Sequence, residues 1–257
     1  MPIDSAASTG NLLLDALPGS DRALIAPHLE PVTFAKGDTA LAAGAGASHV
    51  IFPRDQTVVA LIVATRDGRT AEIASVGHEG AIGGIIGAGR LPPAVSGLAQ
   101  IGGAALRLDA ARLRQAELES STLRDLFARY ADCFLAQLFQ IAACNALHPI
   151  EQRCLRWLLS LQDRTGGDTL PITHEVLASM LGVQRTYLTR ILRVLQEQGL
   201  IRVGRGRITI LDRRAVSNAS CECHARVRMQ CEAVLGAVFR AEEPRRTEPV
   251  ETLSRAG

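Results

Sequence analysis

The spacing of apolar residues divides the chain into a short helical start, a β-rich part and a long helical part. Residues 11–30 show two short helical patterns, for which Asn11 and Ser20 are the expected N-cap residues. Residues 31–108 alternate short runs of β-prone residues with glycine turns, which is typical of a sandwich or barrel. The stretch 77–93 is dense in glycine and contains two adjacent prolines, so we expect a loop or a short helical turn there.

A long helix is predicted after the β-rich part, because residues 121–146 contain neither proline nor glycine. Its apolar positions lie mostly three or four residues apart: Leu123, Phe127, Tyr130, Phe134, Leu138 and Ile141, widened by Leu126, Leu135, Phe139 and Ala142. Such a helix is either buried within a monomer or packed on both its own barrel and a partner helix, close to a two-stranded coiled coil. The width of the apolar surface favours the partner helix.

A helix-turn-helix is the most specific pattern in the chain, and it lies within residues 173–195. We expect two short amphipathic helices, with Thr173 as the N-cap of the first and Gly182 in the turn between them. The apolar residues of the second helix form its predicted core face: Leu188, Ile191, Leu192 and Leu195. Gly199 is expected to end this helix, and residues 200–210 are expected to form a β-hairpin, the wing of a winged helix.

The N-terminal part of the second helix is where a helix-turn-helix meets the edges of DNA bases. The predicted base-contacting residues are Arg185, Thr186, Thr189 and Arg190. An arginine at such a position can bind O6 and N7 of guanine together. Gln184 and Thr173 lie beside helix N-termini and are expected to contact phosphate. Arg205 and Arg207 on the hairpin suit contacts to the DNA backbone, which add affinity but little sequence preference.

The distribution of charge supports a polyanionic partner for the C-terminal part. Residues 149–257 carry 17 arginines and 12 acidic residues, a balance of +5, whereas residues 1–148 carry 11 basic and 14 acidic residues, a balance of −3. Residues 171–214 alone carry 8 arginines and 3 acidic residues. A basic patch of this kind attracts nucleic acid, so double-stranded DNA is the expected partner. The alternative, a charged helix face used for protein contact, does not account for the glycine turn and the basic hairpin together.

Six cysteines occur in a chain that lacks the basic start and apolar run of a secretory signal, which favours reduced thiols and a cytoplasmic location. Three fall on predicted helices and are expected to be packed thiols: Cys133, Cys144 and Cys154. The others, together with a neighbouring histidine, offer thiolate and imidazole ligands for a metal: Cys221, Cys223, His224 and Cys231. Because Cys-x-Cys is less diagnostic than paired Cys-x-x-Cys, reduced thiols are the preferred interpretation, and no metal or other cofactor is predicted.

Sequence motifs argue against several other functions. No apolar run approaches the roughly 18 residues of a membrane span. No phosphate-binding loop, dinucleotide fingerprint, Gly-x-Ser-x-Gly or His-Glu-x-x-His motif occurs. The remaining histidine and glutamate residues, such as His78 and Glu79, are expected to act as caps or solvated groups. We therefore expect that the protein is not an enzyme.

The order of short helices, β-barrel, long helix and winged helix-turn-helix resembles the Crp/Fnr family of transcriptional regulators. The resemblance covers about residues 11–225 and is most specific over residues 170–212. It is supported by three further segments: Val50-Ile51-Phe52-Pro53, Gly77-His78-Glu79-Gly80 with Gly83, and residues 145–153. The resemblance implies a homodimer that is joined through the long helix and binds a palindromic operator. It also places Arg185, Thr186 and Arg190 on the family's base-reading positions.

The sensor half departs from the cyclic-nucleotide binders of that family, which use a Gly-Glu pair for ribose and an Arg-Ser/Thr pair for the cyclic phosphate. Gly83 and Gly84 stand where the Gly-Glu pair should fall. The later pair should fall near Ser96, where no arginine is present, and Arg90 is displaced. Because a buried phosphate needs a charged partner, cyclic AMP is not the expected effector. These four residues remain the predicted pocket for an unidentified effector.

The family's oxygen-sensing branch uses an N-terminal cysteine cluster, and none of the first 132 residues here is a cysteine.

Together these patterns predict an α+β fold in four parts. A double-stranded β-helix or jelly-roll barrel is expected over residues 11–120 as an effector domain, followed by a dimerisation helix over 121–147. A winged helix-turn-helix is expected over 148–216, and a C-terminal helix with a disordered tail over 217–257. The predicted function is that of a cytoplasmic, sequence-specific DNA-binding transcriptional regulator, a homodimer that also contacts RNA polymerase and does not bind membranes.

Two other functions remain open from the sequence. One is a regulator that senses redox state or metal through a cluster of Cys221, Cys223 and Cys231. The other is a ligand-binding barrel without a DNA function, whose helical part serves only to dimerise.

Overall fold

The computed structural model describes residues 8–44, 46–68, 70–84 and 94–236 of the chain. Within them the chain forms, in order, short helices, a β-barrel of two antiparallel sheets, a long helix, a winged helix-turn-helix and a C-terminal helix. This order confirms the α+β fold class predicted from the sequence. The tail predicted to follow residue 241 lies outside the described residues.

The barrel strands are β1 (Glu30–Phe34), β2 (Thr39–Leu41), β3 (His49–Pro53), β4 (Val58–Ala64), β5 (Thr70–Val76), β6 (Ile82–Gly83), β7 (Ser96–Ile101) and β8 (Gly103–Asp109). They pair antiparallel in the orders β1-β8-β3-β6 and β2-β7-β4-β5. Ile51 and Ala105 pack inside the barrel with Val59 of the other sheet, whereas Phe52 and Leu106 pack against helices. Because the sheet is covered on both faces at β3, this strand is apolar from Val50 to Pro53 rather than alternating.

Three short helices lie against that sheet: α1 (Leu12–Asp15), α2 (Gly19–Ile25) and α3 (Ala110–Glu119). Asn11 is the N-cap of α1, as predicted, and its side-chain amide also donates to the carbonyls of Pro53 and Gly80, both at 2.8 Å. The predicted cap at Ser20 is wrong, because Pro18 directly precedes the first helical residue and Ser20 lies within the first turn. Proline suits a helix start because its φ is already fixed and it has no N–H to leave unpaired.

The long helix α4 (Ser121–Leu147) lies against the barrel along one face, where Phe127 is buried. Tyr130 fixes the position of this face, since its hydroxyl donates to the Ala81 carbonyl and accepts from the Ala81 N–H, both at 2.9 Å. A Cβ atom at Gly80 would overlap the hydroxyl oxygen of Tyr130. Glycine is therefore required where the loop after β5 passes the ring.

Two further faces of α4 have different surroundings. The C-terminal helix α9 (Cys223–Leu235) packs along one of them, where the sulfur of Cys133 lies 3.7 Å from that of Cys231. The remaining face is apolar but exposed to solvent, with 70% of Phe139 and 40% of Leu135 accessible. The wide apolar surface seen in the sequence thus contains both intramolecular contacts and an uncovered stripe.

The C-terminal part consists of α5 (Ile150–Thr165), β9 (Thr169–Leu170), α6 (His174–Leu181), α7 (Arg185–Glu197), β10 (Ile201–Gly204), β11 (Arg207–Ile210) and α8 (Arg213–Ala219). These elements share one apolar core, in which Leu158, Leu177 and Ile208 are fully buried. Strand β11 pairs with both β10 and β9, so the hairpin is anchored in a three-stranded sheet. Val58 of the barrel also contributes to this core, which joins the two halves by apolar contact.

A buried ion pair links the barrel to the helical half that follows α4. Arg164 of α5 donates through Nε to Oε1 of Glu79 at 2.7 Å and through Nη2 to the Ser75 carbonyl at 2.9 Å. Only 9% of the Arg164 side chain and 12% of the Glu79 side chain are exposed. Trp157 of α5 donates to the Glu72 carboxylate at 3.0 Å, which adds a second polar link between the halves. Burial by itself would raise the pKa of Glu79, but the charge of Arg164 holds it below the ordinary value.

The substitution Glu79→Gln is expected to lower the free energy of unfolding by about 3 kcal/mol, because it leaves a buried guanidinium without its counter-charge. The pKa of Glu79 is depressed in the folded state, so its contribution is complete above about pH 4.3 and is lost as the pH falls further. Urea denaturation at pH 7 and at pH 3.5 measures both effects. The free energy of unfolding of the variant should be clearly lower than that of the wild type at pH 7, and the difference should be smaller at pH 3.5.

Glu197→Gln is the matched control, because Glu197 pairs with Arg193 on the exposed side of α7 at 2.9 Å. An exposed helical pair of this kind is worth about 0.5 kcal/mol or less. If the two variants lose the same amount of unfolding free energy, the role given to the buried pair is wrong.

Candidate nucleic-acid interface

The turn between α6 and α7 has the geometry predicted from the sequence. Thr173 is the N-cap of α6, and its hydroxyl accepts from the N–H of Val176 at 3.3 Å. Gly182 has φ +68° and ψ 32°, the left-handed conformation that ends α6, and its N–H donates to the Ser179 carbonyl. Gln184 occupies the N-cap position of α7 in extended conformation, with its side chain exposed. These local features set the angle at which α7 leaves the turn.

Helix α7 has one buried and one exposed side. The predicted core residues are at most 3% exposed: Leu188, Ile191, Leu192 and Leu195. All of the predicted base-contacting residues are exposed: Arg185, Thr186, Thr189 and Arg190. The apolar side seats the helix on the domain core, so its first two turns present polar groups to solvent.

The arginines of this surface are free to bind an external anion. Across the described part of the chain, no ion pair engages the guanidinium group of Arg185, Arg190, Arg205 or Arg207. In contrast, the Thr189 hydroxyl donates to the Arg185 carbonyl at 2.9 Å and lies 3.3 Å from Nδ1 of His174. Burial, together with the charge of Arg185, lowers the pKa of His174. Two arginines of α7 are thus the available charged groups, while the Thr189 hydroxyl is already engaged.

The hairpin β10–β11 is held beside α7 by its backbone. The side-chain oxygen of Gln196 accepts from the N–H of Val203 at 2.8 Å, which joins the end of α7 to β10. Ile201 and Ile208 are fully buried, so the hairpin cannot rotate without breaking the domain core. Arg205 in the turn and Arg207 at the start of β11 are both exposed, as expected for contacts to a DNA backbone.

Two exposed residues of this surface were missed in the sequence. Tyr187 is 44% exposed and lies three residues before Arg190, on a neighbouring part of the helix surface. Arg202 is exposed on β10, between the buried Ile201 and the half-buried Val203. The exposure of Arg202 could have been predicted from the sequence, because successive residues of a strand point to opposite sides.

The predicted effector pocket is divided between the two sheets of the barrel. Gly83 lies in β6 opposite Val50, and Gly84 donates its N–H to the His49 carbonyl at 3.1 Å. Ser96 begins β7 in the other sheet, where its hydroxyl accepts from the N–H of Ala43 at 3.4 Å. Arg90 lies outside the described residues. An effector site at these residues therefore stays a prediction.

The cysteine and histidine residues singled out near the C-terminus do not come together as one set. Nε2 of His224 lies 2.7 Å from the Asp163 carboxylate, and Cys231 lies beside Cys133. Burial would raise the pKa of Asp163, but its hydrogen bond with His224 and the neighbouring arginines hold it well below the ordinary value. The structure therefore does not bring Cys221, Cys223, His224 and Cys231 together. Cys221 and Cys223 instead meet two residues from the end of α4: Cys144 and His148.

Comparison with known proteins identifies the DNA-binding part. Residues 152–218 match the Crp-like helix-turn-helix domain. No curated protein matches the sequence of the chain. Among the described residues, no helix combines the length and the apolar character needed to cross a membrane.

Solved structures with the same fold are transcriptional regulators. A Crp/Fnr-family regulator from Eubacterium rectale is 21% identical, with 80% of this chain and 96% of that chain covered and a TM-score of 0.59. A CRP-family regulator from Thermus thermophilus is 19% identical, with 74% and 96% covered and a TM-score of 0.61. FixK2 from Bradyrhizobium japonicum is 15% identical, with 75% and 98% covered and a TM-score of 0.60. The predicted resemblance to Crp/Fnr regulators is confirmed for the fold and for the DNA-binding domain.

Gly182→Ala is expected to lower the free energy of unfolding by about 1 kcal/mol, because an L-residue is strained in the left-handed conformation. No atom lies within 4 Å of an added Cβ, so the loss reports the backbone alone. Gly167→Ala is the control, since its Cβ would also meet no atom and its φ lies outside the left-handed range. Chemical denaturation of both variants measures the difference, and a neutral Gly182→Ala would contradict the turn geometry.

Proposed function

Because the chain carries a Crp-like helix-turn-helix domain within the Crp/Fnr fold, we propose that it is a homodimeric, sequence-specific transcriptional regulator that binds a palindromic DNA operator. The observation that carries the proposal is the exposed arginine surface on α7, formed by Arg185 and Arg190, neither of which has an ion-pair partner among the described residues. The proposal assigns binding rather than catalysis to the protein. It includes contact with RNA polymerase in the cytoplasm, where a bacterial-type regulator of this fold would meet its promoter.

The side chains divide between two kinds of DNA contact. Arg185, Thr186 and Arg190 project from the first turns of α7, the part of a recognition helix that enters the major groove. Arg205 and Arg207 lie on the wing, where a guanidinium can meet phosphate oxygens. The first group would select bases, and the second would add salt-dependent affinity.

The exposed face of α4 supports the homodimer. Its residues follow the alternating three- and four-residue spacing of a coiled-coil seam: Ala128, Asp132, Leu135, Phe139, Ala142 and Ala146. Phe139 is 70% exposed in the single chain, which is unusual for an aromatic residue in the middle of an otherwise packed helix. A second copy of α4 would cover this stripe, and a two-fold axis along the helices would present two α7 helices to a palindromic site.

Arg185→Ala and Arg205→Ala are expected to weaken DNA binding in different ways. Arg185→Ala should cost about 1–3 kcal/mol on the preferred operator and relax the choice of one base pair in each half-site. Arg205→Ala should weaken preferred and random duplexes alike and reduce the salt dependence of binding. The operator is first selected from a random duplex library, and affinities are then measured by fluorescence anisotropy at several salt concentrations.

Arg112→Ala is the control, because Arg112 is an exposed arginine on α3 and its loss changes the net charge equally. If all three variants bind both kinds of DNA as the wild type does, the assignment of the interface is wrong. If the wild type selects no sequence and shifts no duplex at moderate salt, the chain is a ligand-binding barrel without a DNA function.

Phe139→Glu is expected to convert the dimer to a monomer, because it places two carboxylates in the apolar seam and removes a large buried aromatic contact. Light scattering coupled to size-exclusion chromatography measures the mass, and circular dichroism checks that the helices remain. Leu118→Glu is the control, since Leu118 is 74% exposed at the end of α3 and lies off the seam. If both variants are monomers, or if both remain dimers, the proposed interface is wrong.

A further inference from the structure

Four side chains with metal-binding atoms meet where the end of α4 contacts the segment between α8 and α9. Their ligand atoms all lie within 4.8 Å of one another: those of Cys144, His148, Cys221 and Cys223. Cys144 and Cys223 are fully buried and Cys221 is 5% exposed, whereas His148 is half-buried at the edge. The four residues come from two short segments. Cys144 and His148 are four residues apart at the end of α4, and Cys221 and Cys223 are two residues apart.

The measured distances suit a tetrahedral ion. With Zn–S bonds of about 2.3 Å and Zn–N bonds of about 2.0–2.1 Å, tetrahedral ligands lie about 3.8 Å apart between two sulfurs and about 3.6 Å between sulfur and nitrogen. The sulfurs of Cys144 and Cys221 are 3.6 Å apart, and the Cys223 sulfur is 3.5 Å from Nδ1 of His148. These two distances match those around a small four-coordinate cation, and the remaining ligand atoms lie within 4.8 Å of one another.

Neighbouring polar groups orient two of the four side chains. Nε2 of His148 faces the Glu222 carboxylate at 3.4 Å, so its Nδ1 is the nitrogen turned toward the sulfurs. A carboxylate on the far nitrogen of a histidine is the usual support for a metal-binding imidazole. Gln140 donates from Nε2 to the Cys223 sulfur at 3.0 Å, which fixes the position of that sulfur.

We propose that these four side chains bind one divalent cation of the zinc class in tetrahedral geometry: Cys144, His148, Cys221 and Cys223. Sulfur and imidazole ligands select zinc over the hard cations magnesium and calcium, which prefer oxygen. Four protein ligands leave no open coordination position, so the site is structural rather than catalytic. The inference does not depend on DNA binding.

The position of this thiol–imidazole cluster gives the ion a defined structural effect. His148 is the C-cap of α4 and lies directly before Pro149, at the junction between the long helix and the DNA-binding half. Arg153 follows on α5 and donates to the Leu181 carbonyl at 3.0 Å, at the end of α6. A bound ion would therefore fix the junction and hold the start of α9 against α4.

The test measures zinc in the full chain purified under reducing conditions without chelator. Mass spectrometry of the metal should find about one zinc ion per chain, and addition of Zn2+ to the stripped protein should raise its melting temperature. Replacement of zinc by Co2+ should give the intense visible absorption of tetrahedral cobalt and near-ultraviolet thiolate charge transfer. Little zinc together with no tetrahedral cobalt spectrum in the wild type would overturn the proposal.

Matched cysteine variants separate this cluster from the other nearby thiol pair. Cys221→Ser with Cys223→Ser should abolish zinc binding, whereas Cys133→Ser with Cys231→Ser should retain it. Both pairs remove two buried or half-buried thiols from contacts between α4 and the C-terminal segment, so the comparison controls for general loss of packing. Equal zinc content in the two double variants would overturn the proposal, as would a Cys144–Cys221 disulfide that persists under reduction.

Glu222→Gln provides a second measurement that does not remove a ligand. It is expected to weaken Zn2+ affinity by about 10-fold or more, because the carboxylate positions the His148 ring. Competition with a zinc chelator measures the affinity, and melting of the zinc-free proteins checks that their stability is unchanged. An unchanged zinc affinity in this variant would contradict the geometry assigned to His148.

Discussion

The buried ion pair between Glu79 and Arg164 fixes α5 against the barrel. Both side chains are nearly fully buried, so the cost of removing them from water offsets much of their attraction. The pair therefore contributes more to the arrangement of the two halves than to the net stability of the chain. Arg164 also donates to backbone carbonyls on both sides of the interface, at Ser75 of the barrel and Ser160 of its own helix. Because α5 shares its apolar core with α6 and α7, this pair helps to orient the arginine surface, together with Val58 and the Trp157–Glu72 hydrogen bond.

Helix α4 has three apolar faces, and each of them has different surroundings. Its barrel face is fixed by Tyr130, its second face is covered by α9, and its third face repeats at coiled-coil spacing. A helix in a monomeric domain usually needs only one apolar stripe. The extra apolar surface has two separate causes here, since α9 buries part of it and leaves Leu135 and Phe139 exposed. The proposed dimer therefore uses only the stripe that the described part of the chain leaves exposed.

The features that could be predicted from the sequence are those set by neighbouring residues. The Thr173 cap, the left-handed Gly182 and the core face of α7 all depend on spacing within a few positions, and all are confirmed. The predicted Ser20 cap failed because the adjacent proline started the helix earlier. The grouping of Cys221 and Cys223 with residues of α4 could not be found in this way, because some 75 residues separate the two segments. Only the folding of α9 back onto α4 brings them together, and no local pattern encodes that contact.

The hydroxyl of Tyr130 bonds to both backbone groups of Ala81, so this phenol group holds α4 to the barrel at a defined position. Sliding of the helix along its own axis would break both bonds, whereas a small tilt about that point would keep them. Eighteen residues separate Tyr130 from His148, a length of about 27 Å at the rise of an α-helix. A tilt of about 5° at the tyrosine then moves the far end by about 2 Å. Gln137 and Ile141 also contact the barrel further along the helix, so a change in the barrel that tilted α4 would have to break or shift those contacts as well.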